Sequence, residues 1–412
     1  MCIRDSYFIT GRAGTGKSTL LSTFRNTTKK KVVVLAPTGI AALNVKGQTI
    51  HSFFGFPPKL LNPDEIRRRK NHRMYKNIDM IIIDEISMVR ADMLDNIDRF
   101  MRTNGRDVTM PFGGVQVVVF GDMFQLPPVV ATMEERELFS GYYESPYFFS
   151  AKVFDEGFWL DGIELRTNFR QESRHFIRLL DAIRLNQMDY DDLEDLNIRY
   201  LPDEEVGDYY ITLSARNAVV NQINKEKIAK VAGDEHMFIP RVTGAFNERL
   251  FPTTTPLILK EGAQVMFVKN DPKKQFVNGT IGKIIELTED LIKVSVRRDN
   301  DKTELIEVER MIWEIQKYKL DPDQPDDIKS DVIGSFEQFP LKLAWAMTIH
   351  KSQGKTFDRV IINMKGGAFE HGQTYVALSR CRTLEGIILR KPIEPRDIMV
   401  DERIVQYYEQ NF

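Results

Sequence analysis

The octapeptide Gly11-Arg12-Ala13-Gly14-Thr15-Gly16-Lys17-Ser18 stands between a strand-like YFIT and a helical stretch that opens at Ser18. Glycines at this spacing let the backbone curl so that successive N–H groups point at one anion, and the helix N-terminus adds its positive dipole end. Lys17 can then reach the terminal phosphates of a nucleoside triphosphate while Ser18 binds magnesium. The candidate phosphate set is Gly11, Gly14, Thr15, Gly16, Lys17, Ser18 and Thr19.

Hydrolysis needs more than a cradle. Asp84 and Glu85 end the apolar run MIII, at the carboxyl edge of a strand, where open α/β sheets place their ligands. Asp84 there would hold magnesium, and Glu85 would orient and deprotonate the attacking water. A second run ends the same way in FGDMFQLPP, so Gln125 could touch the γ-phosphate or its water. Phosphoryl transfer also draws positive charge from arginine. Arg170 in LRTNFRQ and Arg380 in YVALSRCR are candidates, although arginines in general are solvated surface.

These residues need a sheet to hold them. Four β-branched runs, at 7–10, 31–36, 80–84 and 115–121, alternate with helical stretches, the pattern of buried parallel strands with helices on both faces. The pattern returns at 209–215, 359–364 and 386–390, which predicts a second α/β lobe. Residues 256–338 differ. Short alternating strands broken at Asn278-Gly279, Asp290 and Asp299-Asn300-Asp301 predict a small antiparallel barrel inserted in that lobe, with 321–327 as a surface loop. The expected division is 1–165 for the first lobe with an insert at 56–76, 166–255 and 339–412 for the second, and 256–338 for the barrel. No internal repeat is visible.

Composition narrows the function classes. A chain of 412 residues has room for two or three domains, and 28% charged residues is ordinary for a globular protein. A formal charge of -2 argues against a protein that coats nucleic acid by bulk positive charge, while local grooves could still bind it. Cys2 and Cys381 are far apart and lack metal-ligand spacing. No segment approaches a membrane span and the first residues lack a secretory layout, so the expected compartment is the cytoplasm beside the nucleoid in a bacterium, or the nucleus or mitochondrion in a eukaryote.

Taken in order, GRAGTGKST, LAPTGIAAL, GQTIHSFF, IIIDEISM, FGDMFQLPPV, LRTNFRQ, AMTIHKSQG and YVALSRCR resemble the motif series of superfamily-1B helicases. The likeness is to the PIF (Pif-one) DNA helicases of the Pif/RecD/Dda branch, and runs from residue 7 to about 400. It implies two RecA-like P-loop lobes binding ATP and magnesium, and 5′→3′ translocation on single-stranded or tailed duplex DNA by a monomeric motor. It further implies roles in DNA repair, recombination, replication or telomere and G-quadruplex maintenance. By position, Gln353 and Gly354 join the nucleotide set, and Thr38, His51, Ser52, Phe53, Thr348, His350 and Lys351 face DNA. Hydroxyls and cations suit phosphates, and Phe53 could stack on a base. Taken without the resemblance, His51 and His350 read as packed or capping histidines and Phe53 as core.

The insert at 56–76 lies where the family carries a wedge that splits the duplex, and its Arg67, Arg68, Arg69 and Lys70 could meet phosphates or form the solvated face of a short helix. The segment 256–338 matches the family's SH3-like insert. MCIRDS does not resemble the helix that carries the family's adenine-reading glutamine, so that contact is expected to be missing. Two rival readings remain: an RNA-tracking helicase, and a nucleotide-gated single-strand binder without unwinding activity.

Overall fold

The computed structural model describes residues 6–57, 60–61, 63–130, 133–298, 302–324 and 327–412. The expected Asp299-Asn300-Asp301 turn and residues 1–5 lie outside them, as do Pro58, Lys59 and Asn62 of the 56–76 insert and residues 325–326 of the acidic loop. The chain forms two compact units, one of residues 1–167, 314–334 and 406–412, the other of 168–313 and 335–405.

In the first unit, strands β1 (Tyr7–Gly11), β2 (Val32–Ala36), β3 (Gln48–Thr49), β4 (Met80–Ile83), β5 (Gln116–Phe120) and β6 (Asp161–Leu165) form one sheet in the order β3-β2-β4-β5-β1-β6, every described pair parallel. β4 and β5 are buried at every residue, which is why each reads as an unbroken apolar run. Leu21 of the helix Lys17–Thr27 packs on Val34, Ile82, Val118 and Phe120 beneath the glycine loop. β6 escapes the sequence pattern because DGIEL is a half-exposed edge strand with a single aliphatic pair.

The later strands are β7 (Ile211–Ser214), β8 (His236–Phe238), β9 (Arg241–Gly244), β10 (Leu257–Leu259), β11 (Gln264–Phe267), β12 (Ile281–Leu287), β13 (Ile292–Arg297), β14 (Thr303–Val308), β15 (Met311–Leu320), β16 (Ile328–Gln338), β17 (Leu341–Leu343), β18 (Ala346–Thr348), β19 (Val360–Asn363) and β20 (Ile387–Leu389). The second unit's parallel sheet runs β18-β7-β19-β20. A five-stranded antiparallel sheet, β14-β13-β12-β11-β17, closes over a core that includes Val265, Phe267, Ile284, Val294 and Leu341. The protein is therefore mixed α/β, with two parallel sheets and separate antiparallel ones.

Two boundaries differ from expectation. β15 and β16 form a hairpin whose outer part, 314–334, packs with the first unit instead of staying with the strands before it. Tyr318 explains this. Its hydroxyl accepts from the buried Val34 N–H at 3.0 Å, its own N–H donates to Gln48 Oε1 at 3.2 Å, and its ring sits edge-on to Phe53. At the C-terminus, residues 406–412 also join the first unit, where Tyr407 stacks on Phe149 and Phe412 meets Phe8 edge-on. Both contacts pair residues far apart in sequence, beyond the reach of local periodicity.

Candidate active site

The glycine loop joins β1 to the helix Lys17–Thr27, whose cap, Gly16, is left-handed at φ +83°. Gly11 has φ +149°, and a Cβ there would lie 2.5 Å from the Leu165 carbonyl oxygen, so only glycine fits. Lys17 Nζ folds back over the loop and donates to the carbonyls of Gly11 at 2.6 Å and Arg12 at 3.0 Å. Thr15 Oγ1 donates to Arg12 O at 2.9 Å, while Ser18 and Thr19 are exposed on the first helical turn.

β4, β5 and β1 are neighbours, so the residues that follow each strand emerge along one sheet edge. Asp84 is buried there, and Glu85 beside it takes a left-handed conformation at φ +52°. Burial and the Glu85 charge push the Asp84 carboxyl up to about 7, with Lys17 opposing. Asp122 is also buried, and its carboxylate accepts from Phe124 N and from Gln125 Nε2, each at 3.3 Å. It fixes the orientation of Gln125. In the sequence Gly121-Asp122 reads as an ordinary turn; a carboxylate three residues before the glutamine was the available signal.

In the second unit, Arg170 and Arg380 are brought together. Arg170 Nη1 donates to Ser379 O at 3.1 Å, and Arg380, only 1% exposed, donates from Nε to Val376 O at 3.0 Å and from Nη2 to Ser379 Oγ at 2.8 Å. Burial and the neighbouring Arg380 charge pull the Arg170 guanidinium down to about 9. Two residues missed by sequence reasoning build this pair. Asn168 Oδ1 accepts from the N–H groups of Arg170 at 2.8 Å and Gln171 at 3.0 Å, and buried Gln171 donates through Nε2 to Ser379 O at 3.1 Å and Cys381 O at 2.8 Å. Between them Phe169 is 77% exposed. Among the described residues Gln353 Nε2 is buried without a hydrogen-bond partner, and Gly354, at φ +72°, has open space where a Cβ would project.

Each unit also carries a strand that runs through Thr-Ile-His into a short helix. In the first, Thr49 ends β3 and its hydroxyl caps Ile50–Phe54 by accepting from Ser52 N at 3.2 Å. In the second, Thr348 ends β18 and caps Ile349–Ser352 by accepting from Lys351 N at 3.4 Å. Both isoleucines are buried, at 1% and 0% exposure, which pins each turn to its sheet. Thr38 caps Gly39–Asn44 in the same way, accepting from Ala41 N at 3.2 Å. Thr49-Ile50-His51 recurs as Thr348-Ile349-His350, a local likeness of three residues and not an internal repeat.

Residues 4–193 match the family described as PIF1-like helicase. The chain is 32% identical to the ATP-dependent DNA helicase Pif1 of Bdellovibrio bacteriovorus, over 98% of this chain and 88% of that protein. It spans about 60% of the length of eukaryotic relatives. The chain belongs to the PIF1-like helicase family. Among solved structures of the family, Bacteroides sp Pif1 in complex with ADP-AlF4 is 38% identical with a TM-score of 0.89, covering 99% of this chain and 93% of that one. Bacteroides Pif1 bound to single-stranded DNA is 39% identical with a TM-score of 0.68, covering 98% and 93%.

Not every residue expected from the PIF1-like resemblance is placed to do its work. Phe53 is 6% exposed and sits edge-on to Phe54, Tyr75 and Tyr318, so it is core and not a base platform. Burying an aromatic ring among others is the more favourable use of that position. His51 is half-buried, with burial and the Arg90 charge lowering its pKa, and Ser52 is exposed. His350 Nε2 lies 3.2 Å from Glu370 Oε2, and Lys351 is exposed. In the 56–76 insert, residues 67–70 are not helical. Arg69 donates to Phe54 O at 2.9 Å, and Arg67, Arg68, Arg69 and Lys70 are all exposed.

Proposed function

We propose that this chain is an ATP-dependent DNA helicase that moves 5′ to 3′ along single-stranded DNA, working as a monomer with two RecA-like lobes. The observation that carries the reading is the sheet edge where the Gly11–Ser18 loop, Asp84–Glu85 and the Asp122–Gln125 turn follow three adjoining strands, β1, β4 and β5. Family membership, with relatives that bind single-stranded DNA and ADP-AlF4, supplies the track and the fuel.

ATP would bind with its phosphates in the glycine loop, which requires Lys17 to exchange its two carbonyl contacts for phosphate oxygens. Magnesium fits the residues present, because a buried carboxyl pushed up to about 7 by burial and the neighbouring Glu85 charge is relieved by a divalent cation, and Ser18 is exposed on the first turn after the glycine loop. When bound by Ser18 and Asp84 it would neutralise charge on the phosphates. Glu85 would take the proton from the attacking water, and Gln125, steadied by Asp122, would orient that water. Arg170 and Arg380 would add the remaining positive charge in a nucleotide-closed state.

Thr38, His51, Ser52, Thr348, His350 and Lys351 are assigned to the DNA strand, the three capped turns offering helix N-termini and hydroxyls to its phosphates. Residues 56–76 would act as the wedge, and the antiparallel strands between 256 and 313 as the SH3-like insert. Strand displacement tests this. A 5′-tailed duplex should be unwound with ATP and a 3′-tailed one should not; loss of that polarity, or stimulation by RNA equal to DNA, would defeat the assignment.

A further inference from the structure

Some surface lysines of the second unit are paired with carboxylates, as in Lys283–Asp208 at 2.6 Å and Lys293–Glu286 at 2.8 Å. Three others lie together. Lys342 on β17, Lys351 on the helix Ile349–Ser352 and Lys355 just beyond it sit close enough to repel one another, and none has a carboxylate partner among the described residues. Lys342 and Lys355 are half-buried. Burial and the Lys351 charge lower Lys342, and burial and the Lys342 charge pull Lys355 down to about 8.

The cluster is held by the surrounding backbone. β17 pairs with β11 in fixed register, Lys342 opposite Met266. The Asn278-Gly279 turn closes on residues 355–356, where a Cβ on Gly279 would lie 2.7 Å from Thr356 O, and this closeness puts Asn278 Oδ1 2.7 Å from Lys355 Nζ. Gly279 N in turn donates to Phe267 O at 2.9 Å. A neutral amide satisfies one donor of Lys355 and none of its charge. Half-buried cations gathered without an anion are costly unless an anion arrives.

We infer that Lys342, Lys351 and Lys355 form a seat for one backbone phosphate of the single strand, next to the Thr348 turn. The inference rests on the helicase reading and extends its DNA set by Lys342 and Lys355. Three flexible ammonium groups suit a phosphodiester as point charges and carry no base preference. The seat would act as a sequence-independent grip in the second unit.

Anisotropy of labelled oligo-dT and of a mixed-sequence oligonucleotide, titrated with the full chain across a salt series, tests this on Lys342→Met, Lys355→Met and a control, Lys283→Met. Each of the first two should weaken binding about tenfold, equally for both sequences, and flatten the log–log salt slope by about 0.7 to 1. Lys355→Arg should restore most of the loss, and the control should bind like the parent. Thermal melting checks folding, and removal of an uncompensated cation should leave Tm unchanged or raised. Parent-like affinity and slope in both variants would overturn the seat while leaving the helicase reading intact. Orthophosphate raising the parent's Tm but not the variants', with strand affinity equal in all, would reassign it to small anions. A parent that fails to bind either strand would defeat the helicase reading itself.

Discussion

Gln171 is the residue whose removal should most sharply separate positioning from stability. Its side chain makes three hydrogen bonds, donating to Ser379 O and Cys381 O and accepting from Asn168 Nδ2 at 3.0 Å. Methionine matches its length and makes none of them. Ser379 O keeps Arg170 Nη1, but Cys381 O loses its donor in a buried place. At ~1 kcal/mol net per bond, and more for a stranded buried carbonyl, Gln171→Met should cost about 2–4 kcal/mol. For a unit of this size that is about 4–16 °C in Tm. The chemical effect should be separate. Ser379 O is the acceptor shared by Arg170 and Gln171, so without Gln171 the two arginines lose their common register, and an ångström of misplacement can cost about a hundredfold in rate. DNA-stimulated ATP hydrolysis at a temperature where the variant is folded should show kcat reduced about 10- to 100-fold, with strand affinity within about threefold of the parent. Gln171→Glu should behave similarly, because a carboxylate cannot donate to either carbonyl. A lowered Tm with parental kcat would make Gln171 purely structural, and no change in either would refute the reasoning.

Other consequences follow from the same geometry. The raised Asp84 carboxyl binds its proton up to about pH 7 when folded but only to the ordinary carboxylate range when unfolded, so its contribution to stability is full at acid pH and declines as pH rises to about 7. Chemical denaturation at pH 5 and 8 should show this slope, and Asp84→Asn should lack it while losing hydrolysis. Magnesium affinity with nucleotide bound should fall about tenfold per pH unit below 7, since the cation needs the ionised form; a flat profile between pH 5 and 7 would contradict the assignment. Tyr318→Phe leaves the buried Val34 N–H without its acceptor and should cost about 1–3 kcal/mol in a melt, with Phe53→Ala costing about 3–5 as a core truncation and not a selective loss of DNA affinity. Gly11→Ala, at φ +149° against the Leu165 carbonyl, should weaken nucleotide binding in a fluorescent-analogue titration; parental affinity would show that the loop can absorb the Cβ.

What could be read before the structure follows from the range of the forces involved. The strands β1, β2, β4, β5, β7, β19 and β20 were legible because burial on both faces demands unbroken apolar runs. The glycine loop was legible because its chemistry fixes residue types over eight positions. Phe53 was misassigned because a motif position says nothing of what surrounds a ring, and here Tyr75 and Tyr318 arrive from distant segments. Asn168 and Gln171 act through hydrogen bonds to backbone groups, so nothing in their spacing advertises them, whereas Asp122 left only its place three residues before Gln125 as a signal. The hairpin end at 314–334 left no local signal for the same reason: Tyr318 is 284 residues from its partner Val34.

The measurement that bears most directly on the central claim is ATP hydrolysis by the purified chain with and without single-stranded DNA, run beside Lys17→Ala. The geometry predicts strong stimulation by the strand and its abolition in the variant, because Lys17 Nζ is the ammonium folded over the glycine loop, on the carbonyls of Gly11 and Arg12. Hydrolysis indifferent to DNA, or retained in full by Lys17→Ala, would contradict it.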